Sequence, residues 1–149
     1  MISPVVGRIE SEAGPVQHYT RPEGMPPVNG YSHAVAAAGT VVAVSGQVPV
    51  DAAGWLVGED DAAAQVRQVF RNLQAALGAA GAGLEHVVKL TVFLTDLADL
   101  PAFREARDEF LDPQRLPASS LVQVAGLVHP AFRAEIDALA VIPTVSPAS

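Results

Sequence analysis

Among residue types that carry chemistry, cysteine is absent from the 149-residue chain, which excludes a thiolate nucleophile, a disulfide framework and a Cys-based zinc site. The four histidines, His18, His33, His86 and His129, show no HxxxH or HExxH spacing that would put two metal ligands on one helical face. They read as structural or surface residues, and neither a metal nor a cofactor is expected. Ser45 stands in Ser45-Gly46-Gln47 with no GxSxG elbow around it, so a Ser/His/Asp hydrolase is not indicated. Glu135 is less easily dismissed. It lies inside an alternating apolar run, between Ala134 and Ile136, on the face that the hydrophobic residues leave free. A carboxylate there is solvated, paired with Arg133, or available for acid–base work.

Two further segments have plain explanations. Gly78 to Gly83 (GAAGAG) follows a helical pattern and precedes a strand, whereas a phosphate cradle needs the reverse order, so it is a helix stop. The acidic run Glu59-Asp60-Asp61 sits where carboxylates stabilise a helix N-terminus.

The elements that must position these residues follow from periodicity. Residues 1–29 hold five prolines and read as an extended arm with at most one short strand, around Val5 to Glu10. SHAVAAAGTVVAVSG reads as two buried strands joined in a hairpin at Ala38-Gly39-Thr40, the second running from Val41 to Val50 and breaking at Ser45-Gly46-Gln47 beside a small-molecule pocket. Trp55 to Val57 is a short strand. Asp60 or Asp61 caps a helix in which Val66, Val69, Phe70, Leu73 and Leu77 fall on one stripe, ended by Gly78 and Gly81.

Val87 to Thr95 alternates as a strand, with Val88, Leu90, Val92 and Leu94 on one face. A second helix spans about Leu100 to Leu111, opened by Pro101, with Phe103, Ala106, Phe110 and Leu111 on its apolar side. Strands at Ser120–Ala125 and Arg133–Ile142 follow, and residues 144–149 form a loose tail. This order predicts one α/β (α+β) domain over residues 30–143: a mixed sheet of about five or six strands with two helices on one face. Val41 to Val44 are apolar on both faces, and two helices can cover only one. A homo-oligomer packed through its sheets is therefore expected, dimer and trimer both fitting.

The net charge of -7 and pI near 4.9 oppose binding to polyanions, so nucleic acid is not an expected partner. No stretch approaches the roughly 20 apolar residues of a membrane span, and the N-terminus lacks a secretory pattern; a cytoplasmic location is the simplest expectation.

Taken together and in order, several segments resemble the RidA/YjgF reactive-intermediate deaminase family: Gly30-Tyr31-Ser32-His33-Ala34-Val35, Val44-Ser45-Gly46-Gln47-Val48-Pro49, Gln65 with Asn72-Leu73, Val87 to Leu97, Leu116-Pro117-Ala118, and Glu135-Ile136-Asp137-Ala138. The likeness runs from about Pro22 to Pro143. It implies a chorismate-mutase-like fold, a homotrimer with small-molecule pockets between subunits, and cofactor-free hydrolysis of enamines or imines to carbonyl compounds and ammonia, while other members only bind ligands. The resemblance implies a catalytic role for Glu135 and a pocket wall built from Tyr31, Ser45 and Gly46. Two departures stand out. Where deaminating members carry an arginine after Pro-Ala to hold a substrate carboxylate, this chain has Ser119, and Leu121 replaces a cysteine two places on. Arg104 occupies the family's asparagine position in the second helix; it is either a relocated anchor for the substrate or a surface residue paired with Glu105 or Asp108.

Overall fold

The computed structural model describes residues 16–144. Its elements are β1 (Val16–Tyr19), β2 (Ala34–Ala37), β3 (Gly39–Gln47), α1 (Ala62–Ala79), β4 (Val87–Leu94), α2 (Leu100–Asp108), β5 (Ala118–Gln123) and β6 (Ala134–Pro143). The six strands divide into a four-stranded mixed sheet, ordered β3-β6-β4-β5, and a separate antiparallel ribbon of β1 and β2. Only β4 and β5 run parallel, and α2 lies in the connection between them, as a parallel pairing requires.

The first helix forms where its stripe predicts. Asp61 caps α1 by accepting the Ala64 N–H at 3.0 Å, and Gly81, at φ +79°, takes the chain out of the helix after Ala79. Val66, Val69, Phe70, Leu73 and Leu77 are all buried against Leu90, Val92 and Leu94 of β4 and Ile136, Ala138 and Ala140 of β6. Phe110, just past α2, stacks on Phe70 with ring centroids 5.1 Å apart, which ties the second helix to the first.

Two buried or half-buried amides of α1 fix the loops that lead to the functional strands. Gln65 donates to the Gly58 and Ala131 carbonyls, each at 3.0 Å, and accepts the Arg133 N–H at 2.7 Å, so it sets where β6 begins. Asn72 donates to the Val48 and Val50 carbonyls, both at 2.9 Å, which anchors the chain as it leaves β3. The three hydrogen bonds of Gln65 lie inside the fold, where an unpaired amide would cost about 1–3 kcal/mol.

Several expectations are corrected. The hairpin at Ala38-Gly39-Thr40 does not form: β2 pairs with β1 and β3 with β6. Gly39 serves a different need, because a Cβ there would overlap the Ile142 carbonyl; the glycine permits close backbone approach rather than a turn. The partner of β2 comes from the proline-rich arm, at Val16–Tyr19, whereas the strand expected around Val5 to Glu10 lies outside the described residues. Neither β2 nor most of β3 is buried within one chain. Trp55 to Val57 makes only an isolated Val50–Leu56 bridge, since the Asp51 carboxylate accepts the Ala53 and Trp55 N–H groups and bends the segment into a turn. In β4 a register slip between Val87 and Lys89 brings Val87 into the core in place of Val88. β5 starts at Ala118, two residues before the expected Ser120, and ends at Gln123.

Candidate functional site

The predicted site residues fall into two groups. The first surrounds a cavity of about 300 Å³ between α2 and the edge strand β5, lined by Tyr31, Arg104, Ser119 and Leu121 together with Gly30, Leu100, Phe103 and Arg107. Ser119 and Leu121 are in register with Leu90 and Val92 of β4, whose side chains point to the helices, so these two residues face α2. Tyr31 is placed by its neighbour Ser32, which is 1% exposed. The Ser32 N–H donates to the Pro117 carbonyl at 2.9 Å and its hydroxyl to the Leu116 carbonyl at 2.7 Å. The Tyr31 ring meets His33 edge-on, 5.7 Å between centroids. Arg104 lines the cavity and makes no ion pair among the described residues, so the surface pairing with Glu105 or Asp108 is not formed.

Arg107 belongs to the same cavity and was not singled out from the sequence. It is 6% exposed. Its Nη1 donates to the Asn29 carbonyl at 3.0 Å, Nη2 to the Asn29 side-chain oxygen at 3.1 Å, and Nε to Asp108 at 2.9 Å, while the guanidinium lies 5.6 Å from the Phe103 ring centroid. A readable signal existed: Arg107 stands beside Ala106 and four residues after Phe103, on the apolar side of a short helix.

The second group is Ser45, Gly46 and Glu135. The pairing of β3 with β6 slips between Val44 and Gln47, so Ser45 and Gly46 form a bulge where the strand was expected to break. A Cβ on Gly46 would overlap the Glu135 carboxylate, and glycine alone lets that side chain lie across the bulge. Arg133 does not pair with Glu135. It forks onto Asp99 through Nε and Nη2, at 3.0 and 3.2 Å, and this hydrogen-bonded carboxylate raises the Arg133 pKa above the ordinary arginine value. Among the described residues Glu135 has no ion-pair partner.

The sheet itself separates the two groups. Ala134 and Ile136 point into the helix-covered core, so Glu135, between them, projects from the opposite face, across from Phe93 of β4. That open face carries exposed apolar side chains, with Val41 62%, Val122 47% and Leu139 40% exposed. One chain thus holds a cavity on one side and a carboxylate over a backbone bulge on the other.

The remaining candidates are structural. His18 Nδ1 lies 2.8 Å from the Leu116 carbonyl and His33 Nε2 3.0 Å from that of Pro26, while His86 and His129 accept the Gly83 and Ala131 N–H groups. No cluster of three or more metal-ligating side chains occurs among the described residues. A second hollow of about 370 Å³, lined by Gln74, Glu85, Phe110 and Arg115 among others, holds none of the site residues. No helix among the described residues is long and apolar enough to cross a membrane.

A mixed four-stranded sheet, two helices on one of its faces, and a cavity where the loop before β2 meets β5 define a two-layer α+β fold with a pocket at the sheet edge. Residues 22–142 match the family described as Endoribonuclease L-PSP. The chain is 39% identical over 119 residues to the 3-aminoacrylate deaminase RutC of Acinetobacter baylyi, covering 80% of this chain and 93% of that one. The Rid-family protein YyfB of Yersinia pestis superposes with a TM-score of 0.79 at 32% identity, covering 86% of this chain and 99% of that one. TdcF of E. coli, solved with bound serine, superposes with a TM-score of 0.63 at 32% identity, covering 85% and 97%. The chain belongs to the RidA/YjgF family, of the chorismate-mutase-like fold.

Proposed function

We propose that this protein is a cytoplasmic, cofactor-free hydrolase of small enamines or imines, working as a homotrimer in which each pocket is completed between subunits. The helix-side cavity of one chain faces the Ser45–Gly46 bulge and Glu135 of the next. The observation that carries this reading is the division of the site residues between opposite faces of one sheet, together with the apolar side chains on the open face. The deaminase named among its relatives supports the reaction class.

In this reading the substrate enters as a protonated imine. Glu135 orients a water and takes its proton as the oxygen adds to the imine carbon. The same carboxyl group then returns the proton to the nitrogen, takes the hydroxyl proton as the C–N bond breaks, and passes it to the departing ammonia, so that a carbonyl compound and ammonium leave. The bulge backbone and the Tyr31 hydroxyl hold the substrate by hydrogen bonds. Ser119 supplies no charge, so Arg104, which lines the cavity without an ion pair, holds the substrate's anionic group. Substrate choice differs accordingly from that of arginine-bearing relatives. The net charge of -7 weighs against an RNA substrate.

The test generates 2-iminobutanoate and larger imines in situ and follows their decay against the uncatalysed rate. At least one larger imine is expected to decay faster with protein, and Glu135→Gln to lower that rate by about 100-fold. Decay of 2-iminobutanoate as fast as with arginine-bearing relatives would remove altered specificity. The absence of Arg at position 119 favours one other reading, a trimer that binds a metabolite or a protein without turnover; ligand binding unchanged in Glu135→Gln, with no imine accelerated, would establish it.

A further inference from the structure

We propose that Arg107 is a second anion-holding residue of the α2–β5 cavity, and that its pairing with Arg104 selects substrates carrying two anionic groups over those carrying one. This rests on the reading of the cavity as the substrate pocket. Arg104 and Arg107 stand three residues apart on α2, the spacing that puts two side chains on neighbouring positions of one helical face. Both line the cavity, and no carboxylate does. Arg104 brings a charge with no ion pair among the described residues and Arg107 one compensated only by the exposed Asp108, a positive lining that favours an anionic ligand.

The setting of Arg107 suits that task. Nε, Nη1 and Nη2 are all engaged by Asn29 and Asp108, Nη2 by both, which locks the guanidinium plane and leaves one Nη1 N–H uncommitted among the described residues. Its neighbour Asp108 has a side chain 66% exposed and lies outside the cavity lining, so water screens that carboxylate from a bound ligand. The guanidinium also packs directly on Gly30, whose missing Cβ makes room for it, and Gly30 adjoins Tyr31. The residue that holds the anion therefore also fixes the segment that carries Tyr31. A planar, buried, always-charged fork compensates from the helix for the charge that Ser119 lacks on the strand.

The full-length protein is titrated calorimetrically with succinate and with butanoate, unreactive stand-ins for dianionic and monoanionic substrates, at one ionic strength. Succinate is expected to bind about tenfold more tightly or better, the effect of one additional charge-assisted contact. Arg107→Met is expected to bring the two affinities together. Because Arg107 also clamps Asn29, Ser119→Asp gives an independent check: it places a carboxylate in the same wall without touching the clamp, and is expected to abolish the preference. Equal affinities in the unaltered protein, binding of neither acid, or a preference that survives both substitutions would overturn the proposal. Succinate carries no nitrogen, so the outcome is separable from turnover. Tight succinate binding with no imine accelerated would sustain the anion site and remove the deaminase reading, whereas rapid hydrolysis of monoanionic imines without any preference would do the reverse.

Discussion

The two faces of the four-stranded sheet are built to different standards of completeness. On the helix side, Phe70, Leu73, Leu90, Val92 and Ile136 are buried within a single chain, and the cavity at its edge is walled by α2, β5 and the loop that carries Tyr31. On the other side, Val41, Val122 and Leu139 meet solvent, and Glu135 crosses the Gly46 bulge. The contrast teaches that burial is divided unequally between the faces: one supplies the packed core of the single chain, and the other leaves apolar side chains and a carboxylate open.

Three substitutions probe that contrast. The largest effect is expected for Phe70→Ala on the closed face, about 3–5 kcal/mol of lost stability in urea denaturation, because a fully buried ring stacked on Phe110 leaves a cavity. On the open face, Val41→Asp should leave secondary structure and the unfolding of the single chain within about 0.5 kcal/mol, as exposed substitutions usually do, yet release the assembly to monomers in analytical ultracentrifugation. Unfolding as severe as that of Phe70→Ala would erase the distinction between the faces, and an unchanged assembly mass would show that the open face is not the one that associates. An effect on stability smaller than that of Phe70→Ala is expected for Gly30→Ala, at the cavity rim. At φ +74° and against the Arg107 guanidinium, an added Cβ is expected to lower thermal stability by about 1–2 kcal/mol and to weaken succinate binding, measurable in the same calorimeter.

Much of the closed face was legible in the sequence. The stripe from Val66 to Leu77, a cap at Asp60 or Asp61 and the alternation from Ala134 to Ala140 are local patterns set by backbone geometry, and the structure chose Asp61 for the cap. The Ser45-Gly46-Gln47 irregularity was legible too, because glycine in an otherwise β-branched run marks a bulge. The pairing of β2 was not. A short strand records only that it is a strand, and its partner lay in an arm whose prolines argued against one. Arg107 escaped for a similar reason: a charged residue on an apolar stripe looks like the stripe's edge until Asn29, distant by 78 residues, arrives to receive it.

Composition and periodicity alone settled the class of fold and the absence of thiol chemistry, since each depends on residue identity or on neighbours a few positions away, while the missing positive charge at Ser119 is what the family resemblance implies. Tertiary structure alone decided that Ser119 and Glu135 look away from each other, that Arg133 belongs to Asp99, and that two arginines share one cavity. Those outcomes depend on which strands become neighbours and in what register, and a one-residue slip in that register would have reversed every one of the facings.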